Sequence, residues 1–192
     1  IELVEDDFDI KAIKERLAKK DVKLVEIQRS RGYSTRKSLT IDKIEKAIRA
    51  IREVNQEVII MVDNCYGEFT ETREPTDVGA DLVIGSLLKN MGGGIAPTGG
   101  YIAGKSELIE LISYKMTSPA LGVDIGSYET GYKAFFQGVF MSPHVVAQAM
   151  KMVALTSSAL SKLGYETIPS VYEDFSDIVC CIKFNNKDTL IK

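Results

Sequence analysis

Asp81-Leu82-Val83-Ile84-Gly85-Ser86-Leu87-Leu88-Lys89 is the stretch on which the reading of the fold turns. Its apolar start predicts a short strand over Asp81 to Ser86, with Lys89 just past the carboxyl end. A glycine-rich run, Asn90 to Gly100, follows. Upstream, Val58-Ile59-Ile60-Met61-Val62 is a near-continuous apolar run closed by Asp63. Such a run is the mark of a strand buried on both faces.

Outward from these two strands the chain alternates. Asp9 caps a predicted helix from about Ile10 to Lys20, and Val22 to Ile27 reads as a strand. Gln28 to Leu39 is a polar loop containing Gly32. Thr40 caps a second helix, Ile41 to Val54, whose Ile44, Ala47, Ile48 and Ile51 form one apolar stripe. Asn64 to Val78 is a loop and Tyr101 to Ala103 a strand. Ser106 caps a helix over Glu107 to Met116. Ala120 to Gly131 is glycine-dotted and takes no assignment. Ser142-Pro143 reads as a cap and first-turn proline of a helix that runs to Leu163 and stops at Gly164. Ile178 to Phe184 is a last strand.

Strand–helix–strand alternation predicts an α/β fold, a mainly parallel sheet with helices on both faces. Ligands in such sheets bind at the carboxyl ends of strands. Gln28, Asp63 and the segment Ser86 to Lys89 all fall on that rim.

Composition narrows the function. The 192 residues are 45% hydrophobic, enough for one core and part of another. A net charge of −3 argues against a nucleic-acid partner. Arg29, Arg31, Arg36 and Lys37 form a small basic cluster, suited to a phosphate, to a substrate carboxylate or to a solvated loop. No apolar run is long enough to span a membrane, and no signal segment opens the chain. Cys65, Cys180 and Cys181 are an odd set without CxxC spacing, which predicts a reducing, cytoplasmic setting with Cys180 and Cys181 as small buried side chains. One His and scattered Cys predict no metal site. The chain opens on Ile1 and stops soon after a strand, as an excerpt of a longer protein would.

An amine and an acid at neighbouring strand ends suit pyridoxal phosphate: the amine joins the cofactor's aldehyde and the acid holds the pyridine nitrogen protonated. Ser86, three positions before Lys89, offers a hydroxyl and nearby backbone N–H groups to a phosphate, and the following glycines permit close approach to a ligand. The glycine run lacks the Lys-hydroxyl pair of a P-loop, and Pro97 breaks any dinucleotide fingerprint. Tyr66, Tyr101, Tyr128 and Tyr132 read as packing residues; Tyr66, close after Asp63 and Cys65, is the best ring-stacking candidate. His144 reads as a structural or surface residue.

Val62-Asp63-Asn64-Cys65-Tyr66 resembles the VDNT[FW] segment of the cystathionine and methionine lyase superfamily, and Val78 to Lys89 resembles its LGADIVVHSATK segment. Ile27 to Ser34, Asp63 to Phe69, Gly85 to Asn90, Gly92 to Gly94, Ala96 to Gly104 and Pro143 to Val146 resemble the branch called aluminium-resistance or methionine γ-lyase-related proteins. The resemblance covers nearly the whole chain.

It implies a fold-type-I pyridoxal-phosphate enzyme that breaks a C–S bond of a sulfur-containing amino acid by β- or γ-elimination. Lys89 then resembles the Schiff-base lysine, Asp63 the pyridinium partner and Ser86 the phosphate-binding serine. Cys65 stands where relatives carry a threonine near the cofactor. Gln28 to Tyr33 stands where relatives carry ETPTNP; Gln28, Arg31 or Tyr33 takes over the contact to the ring oxygen, and Arg31 and Tyr33 are also substrate-binding candidates. The implied layout is 1–141 in the cofactor-binding large domain, 142–164 as connecting helix and 165–192 as the start of a small α+β domain. A homodimer or homotetramer is implied too. The alternatives are a pyridoxal-phosphate aldolase or decarboxylase, and a non-catalytic relative acting as a binding module. The aluminium label implies no metal chemistry.

Overall fold

A computed structural model describes residues 9–117, 119–129, 131–184 and 186–191. Its elements are α1 (Ile10–Leu17), β1 (Leu24–Gln28), α2 (Ile41–Val54), β2 (Ile59–Asp63), β3 (Leu82–Ser86), β4 (Gly100–Gly104), α3 (Ser106–Met116), α4 (Lys133–Lys162), β5 (Glu166–Ile168), β6 (Cys181–Lys183) and α5 (Lys187–Ile191). The first four strands make one mixed, mostly parallel sheet in the order β1-β2-β3-β4. β1, β2 and β3 run parallel, and β4 returns antiparallel to β3. In register, Gln28 lies opposite Asp63, and Asp63 opposite Ile84. Two of the rim residues, Gln28 and Asp63, are thus brought side by side by strand pairing alone.

α2 forms where the stripe predicts. Thr40 accepts the Lys43 N–H as its cap, and Ile41, Ile44, Ala47, Ile48 and Ile51 are buried. They pack with Ile27, Ile60, Val62 and Val83 in one core, joined by Leu17 of α1. Each buried isoleucine contributes about 1.5–3 kcal/mol by leaving water. The expectation that Val58 to Asp63 is buried on both faces is corrected: Ile60 and Val62 are buried, while Ile59, Met61 and Asp63 are half-buried. The reason is that the core built with α1 and α2 lies on one face of the sheet.

Other boundaries differ for local reasons. α1 stops at Leu17 rather than Lys20, because Lys20 turns at φ 56°. Ser106 lies within α3 and Lys105 takes the cap position. The long helix begins at Lys133, not at Ser142, and holds Pro143 inside it. Ser142 is no cap: its hydroxyl donates to Gly138 O, at 2.8 Å, or to Met91 O, at 2.8 Å. Pro143 lacks an N–H, which leaves the Val139 carbonyl without its usual helical donor. Gly164, at φ 87°, ends the helix as expected. Beyond it β5 and β6 pair antiparallel, with β6 shorter than the predicted last strand and β5 unforeseen. No helix among the described residues is long and apolar enough to cross a membrane.

Candidate active site

The site grows from the clamped end of β2. Arg29 donates its N–H to Asp63 O, at 3.0 Å, and Asn64 donates to Ile84 O, at 2.9 Å. Both neighbours therefore hold the backbone around Asp63. Its carboxylate accepts the Cys65 N–H at 3.0 Å, closing a tight turn. The next residue, Tyr66, sits at φ 69°, a conformation that a bulky side chain adopts only under constraint. The Lys89 ammonium lies 4.2 Å from the centroid of the Tyr66 ring.

Cys65 joins the acid to the amine, since its thiol interacts with both Asp63 and Lys89. Burial pushes the thiol up and the Asp63 carboxylate adds to this, while Lys89 acts in the opposite direction. Burial pulls the Lys89 amine down, but its contacts with Cys65 and Tyr66 outweigh that and leave it above the ordinary lysine value. The resting amine is therefore held as an ammonium.

Ser86 ends β3. Its Oγ accepts the Leu88 N–H at 3.1 Å. Leu87 N–H donates to Gly99 O, at 2.9 Å, and Lys89 N–H to Ser86 O, at 3.3 Å. The backbone N–H groups expected to help bind a phosphate are thus occupied, and the Ser86 hydroxyl proton is what the turn has to offer. The glycines after Lys89 do not all serve a ligand either. A Cβ on Gly93 would lie 2.4 Å from Gly138 O, and one on Gly138 would lie 2.4 Å from Gly92 O. Gly93 and Gly138 are small so that the lysine loop can press on α4, while a Cβ on Gly92 would strike Leu87 O within the loop itself.

Beneath the site lies a polar layer in which the sequence reading names Arg29 and Tyr101 but not Asn64, Glu68, Glu71 or Glu74 as members. Arg29 is fully buried. It donates to Leu39 O at 3.3 Å, Asn64 Oδ1 at 2.8 Å, Thr70 Oγ1 at 3.2 Å and Glu71 Oε1 at 2.7 Å. Asn64 in turn donates to Glu74 at 2.8 Å. Glu68, also buried, accepts from the Tyr101 hydroxyl at 2.8 Å, and its backbone O accepts from Asn90 Nδ2 at 3.0 Å. The signal for this layer was in DNCYGEF itself: charged residues packed among small and aromatic ones.

The three loop candidates separate. Gln28 is exposed and flanks Asp63 by register. Tyr33 is fully exposed. Arg31 is buried; it donates to Ile168 O at 2.6 Å and lies 3.7 Å from Asp177. These partners are on the later segment, not among the strand-end groups. That segment docks on the site loops: Ser30 donates to Asp177 at 2.9 Å, and Ile178 N–H donates to Tyr66 O at 3.2 Å.

The donor set suits pyridoxal phosphate. A half-buried amine, a carboxylate and a hydroxyl stand at adjoining strand ends, and the amine and carboxylate meet through one thiol.

A family profile described as methionine gamma-lyase matches residues 1–192. A carbon-sulfur lyase involved in aluminum resistance from Clostridium novyi NT superposes with a TM-score of 0.91 at 43% identity, over 98% of this chain and 45% of its own. A Clostridium acetobutylicum protein, provisionally named a cystathionine beta-lyase involved in aluminum resistance, gives 0.93 at 47% identity over 98% of this chain and 45% of its own. Protein YnbB of Bacillus subtilis is 44% identical over 88% of this chain and 40% of its own length. The pyridoxal-5'-phosphate-dependent YhfS of Escherichia coli, 17% identical over 95% of this chain and 47% of its own with a TM-score of 0.60, shares the fold. A mixed α/β sheet with an amine and an acid at its strand ends defines the class. The chain belongs to the methionine gamma-lyase family, and it spans less than half the length of these relatives.

Proposed function

We propose that this chain forms the central part of a fold-type-I, pyridoxal-phosphate-dependent lyase that cleaves a C–S bond of a sulfur-containing amino acid. The observation that carries the reading is the Asp63–Cys65–Lys89 constellation at the ends of β2 and β3. The names of the Clostridium relatives support the reaction class.

Lys89 would hold the cofactor by its amine, Asp63 would face the ring nitrogen, and the Ser86 hydroxyl would meet the phosphate. Cys65, which acts on both Asp63 and Lys89, and Gln28, which flanks Asp63, are the further residues proposed to contact the ring. When bound, pyridoxal phosphate supplies a sink for the electron pair left at the substrate Cα. Once free of the cofactor, the Lys89 amine takes the Cα proton. The sulfur group then departs from Cβ with the C–S electron pair, or from Cγ once a Cβ proton has been removed as well. Tyr33, exposed at the loop tip, and Arg31 are the residues of this chain proposed for the substrate. The protein is read as cytoplasmic and as a homodimer or homotetramer, with residues 165–192 opening a small second domain.

The test uses the full-length protein. Pyridoxal phosphate should give an absorbance band that borohydride abolishes, and cysteine, cystathionine or methionine should release a thiol or sulfide. A band without release from any of the three would turn the reading to aldolase or decarboxylase chemistry. Absence of the band would turn it to a binding module.

A further inference from the structure

We infer that Tyr66 is a positioning residue for Lys89: its ring face is the resting place of the lysine amine whenever that amine is not joined to the cofactor. The inference rests on the reading of Lys89 given above and adds a residue to it.

Three observations carry it. The amine stands over the ring face, 4.2 Å from the centroid. A cation is drawn to that face by the ring quadrupole, and more strongly where water is partly excluded. Second, the ring is put there at a cost. Tyr66 is held at φ 69°, where glycine would be at ease. Backbone strain persists only where the surroundings over-determine it. Third, those surroundings are visible. Asp63 closes the turn through the Cys65 N–H, and Ile178 N–H donates to Tyr66 O. The strained residue is therefore fixed from the strand side and from the later segment, and the product of that fixing is a ring under an ammonium. The groups that face the amine are Tyr66 and Cys65, with Asp63 behind the thiol. Once it has taken the Cα proton the freed lysine is an ammonium that has to stay near the substrate and avoid swinging to solvent, and an aromatic floor does both without forming a bond that must later break.

The experiment reads the amine directly, without turnover. Full-length protein stripped of cofactor is treated with acetic anhydride across a pH series, and Lys89 acetylation is followed by peptide mass spectrometry. Only the unprotonated amine reacts, so the midpoint reports its protonation. Tyr66→Phe keeps the face but removes the hydroxyl that also acts on the amine, and should shift the midpoint less than Leu does. Tyr66→Leu should lower it, raising the unprotonated fraction at fixed pH by about two- to fivefold. Tyr66→Gly removes the ring while relieving the positive φ, and should shift the midpoint as Leu does. Unchanged midpoints in both Leu and Gly variants overturn the inference. If the midpoints shift but wild-type protein shows no reducible band with pyridoxal phosphate, Tyr66 keeps its role and the proposed function falls.

Discussion

Glu68 and Tyr101 are joined by a 2.8 Å hydrogen bond under the strand that leads to the lysine. The contact is tight: a Cβ on Gly85 would lie 2.4 Å from the Tyr101 ring and 2.6 Å from Glu68 Oε1. The other carboxyl oxygen, Oε2, is buried without a partner. Burial drives the Glu68 carboxyl up to about 7, with Glu74 adding to the rise and Tyr101 and Arg29 opposing it. The Tyr101 hydroxyl is itself pushed up, by burial first and by Glu68 second.

This pair predicts the pH dependence of stability. The folded protein binds the Glu68 proton more tightly than the unfolded chain, whose carboxyl titrates near 4.5. Stability from this group is therefore greatest below 4.5, falls as pH rises through 7, and stays low above. The full difference is at most about 3 kcal/mol. Urea unfolding at pH 5 and pH 8 should show Glu68→Gln losing much less stability between the two than wild type. Equal losses would show that the carboxyl is ionised at both values.

Arg29 predicts a loss that no smaller cation repairs. Removing it takes the guanidinium donor from Asn64 and Thr70 and leaves the Glu71 carboxylate held by the Ile41 N–H. Breaking a buried charged pair costs about 3–5 kcal/mol. Arg29→Ala should lose that much in chemical denaturation. Arg29→Lys should recover only part, because one ammonium cannot reproduce a fork spread over four acceptors. Full recovery by lysine would reduce the network to simple charge.

Gly138 predicts the reach of packing into the site. Gly138→Ala puts a methyl 2.4 Å from Gly92 O, with backbone rather than a flexible side chain in the way. The expected cost is about 1–3 kcal/mol, with weaker cofactor binding because the lysine loop has to move. Differential scanning and a pyridoxal-phosphate titration of the full-length variant measure both. A stable variant with unaltered binding would mean that α4 and the loop slide apart freely.

Lys89 and Asp63 separate attachment from activation. Lys89→Ala should remove the borohydride-sensitive band altogether. Asp63→Ala should keep some cofactor, held less tightly, and lose at least about a hundredfold in turnover. A Lys89→Ala protein with the wild-type band, or an Asp63→Ala protein with wild-type turnover, would each strike out the corresponding role.

The chain displayed its local signals openly. The stripe of α2, the Thr40 cap and the apolar runs of β2 and β3 are short-range patterns, and each stands where it was expected. Asp63 and Lys89 were legible because each ends such a run. What misled was the same chemistry serving two contexts. Ser142-Pro143 carries the marks of a helix start, but tertiary packing of Gly138 on the lysine loop extends the helix backward through it. The layer of Arg29, Glu68 and Tyr101 depends on contacts between residues 33 to 42 positions apart, for which no periodicity exists. The contacts of Arg31 with Ile168 and Asp177 left no local mark either, because they lie on a segment that only folding brings near.

The antiparallel course of β4 has a consequence for the reactive amine. Because Ser86 pairs with Gly100, the loop that carries Lys89 leaves and re-enters the sheet at one place, like a handle with both ends fixed. Its crown is fastened to α4 where Ser142 meets Met91 O and Gly93 meets Gly138. The conformational entropy of that handle is lost when the protein folds, not when a ligand arrives. Lys89 is therefore a stiffly mounted tool with a short, defined swing, and its aim belongs to the fold rather than to whatever binds there.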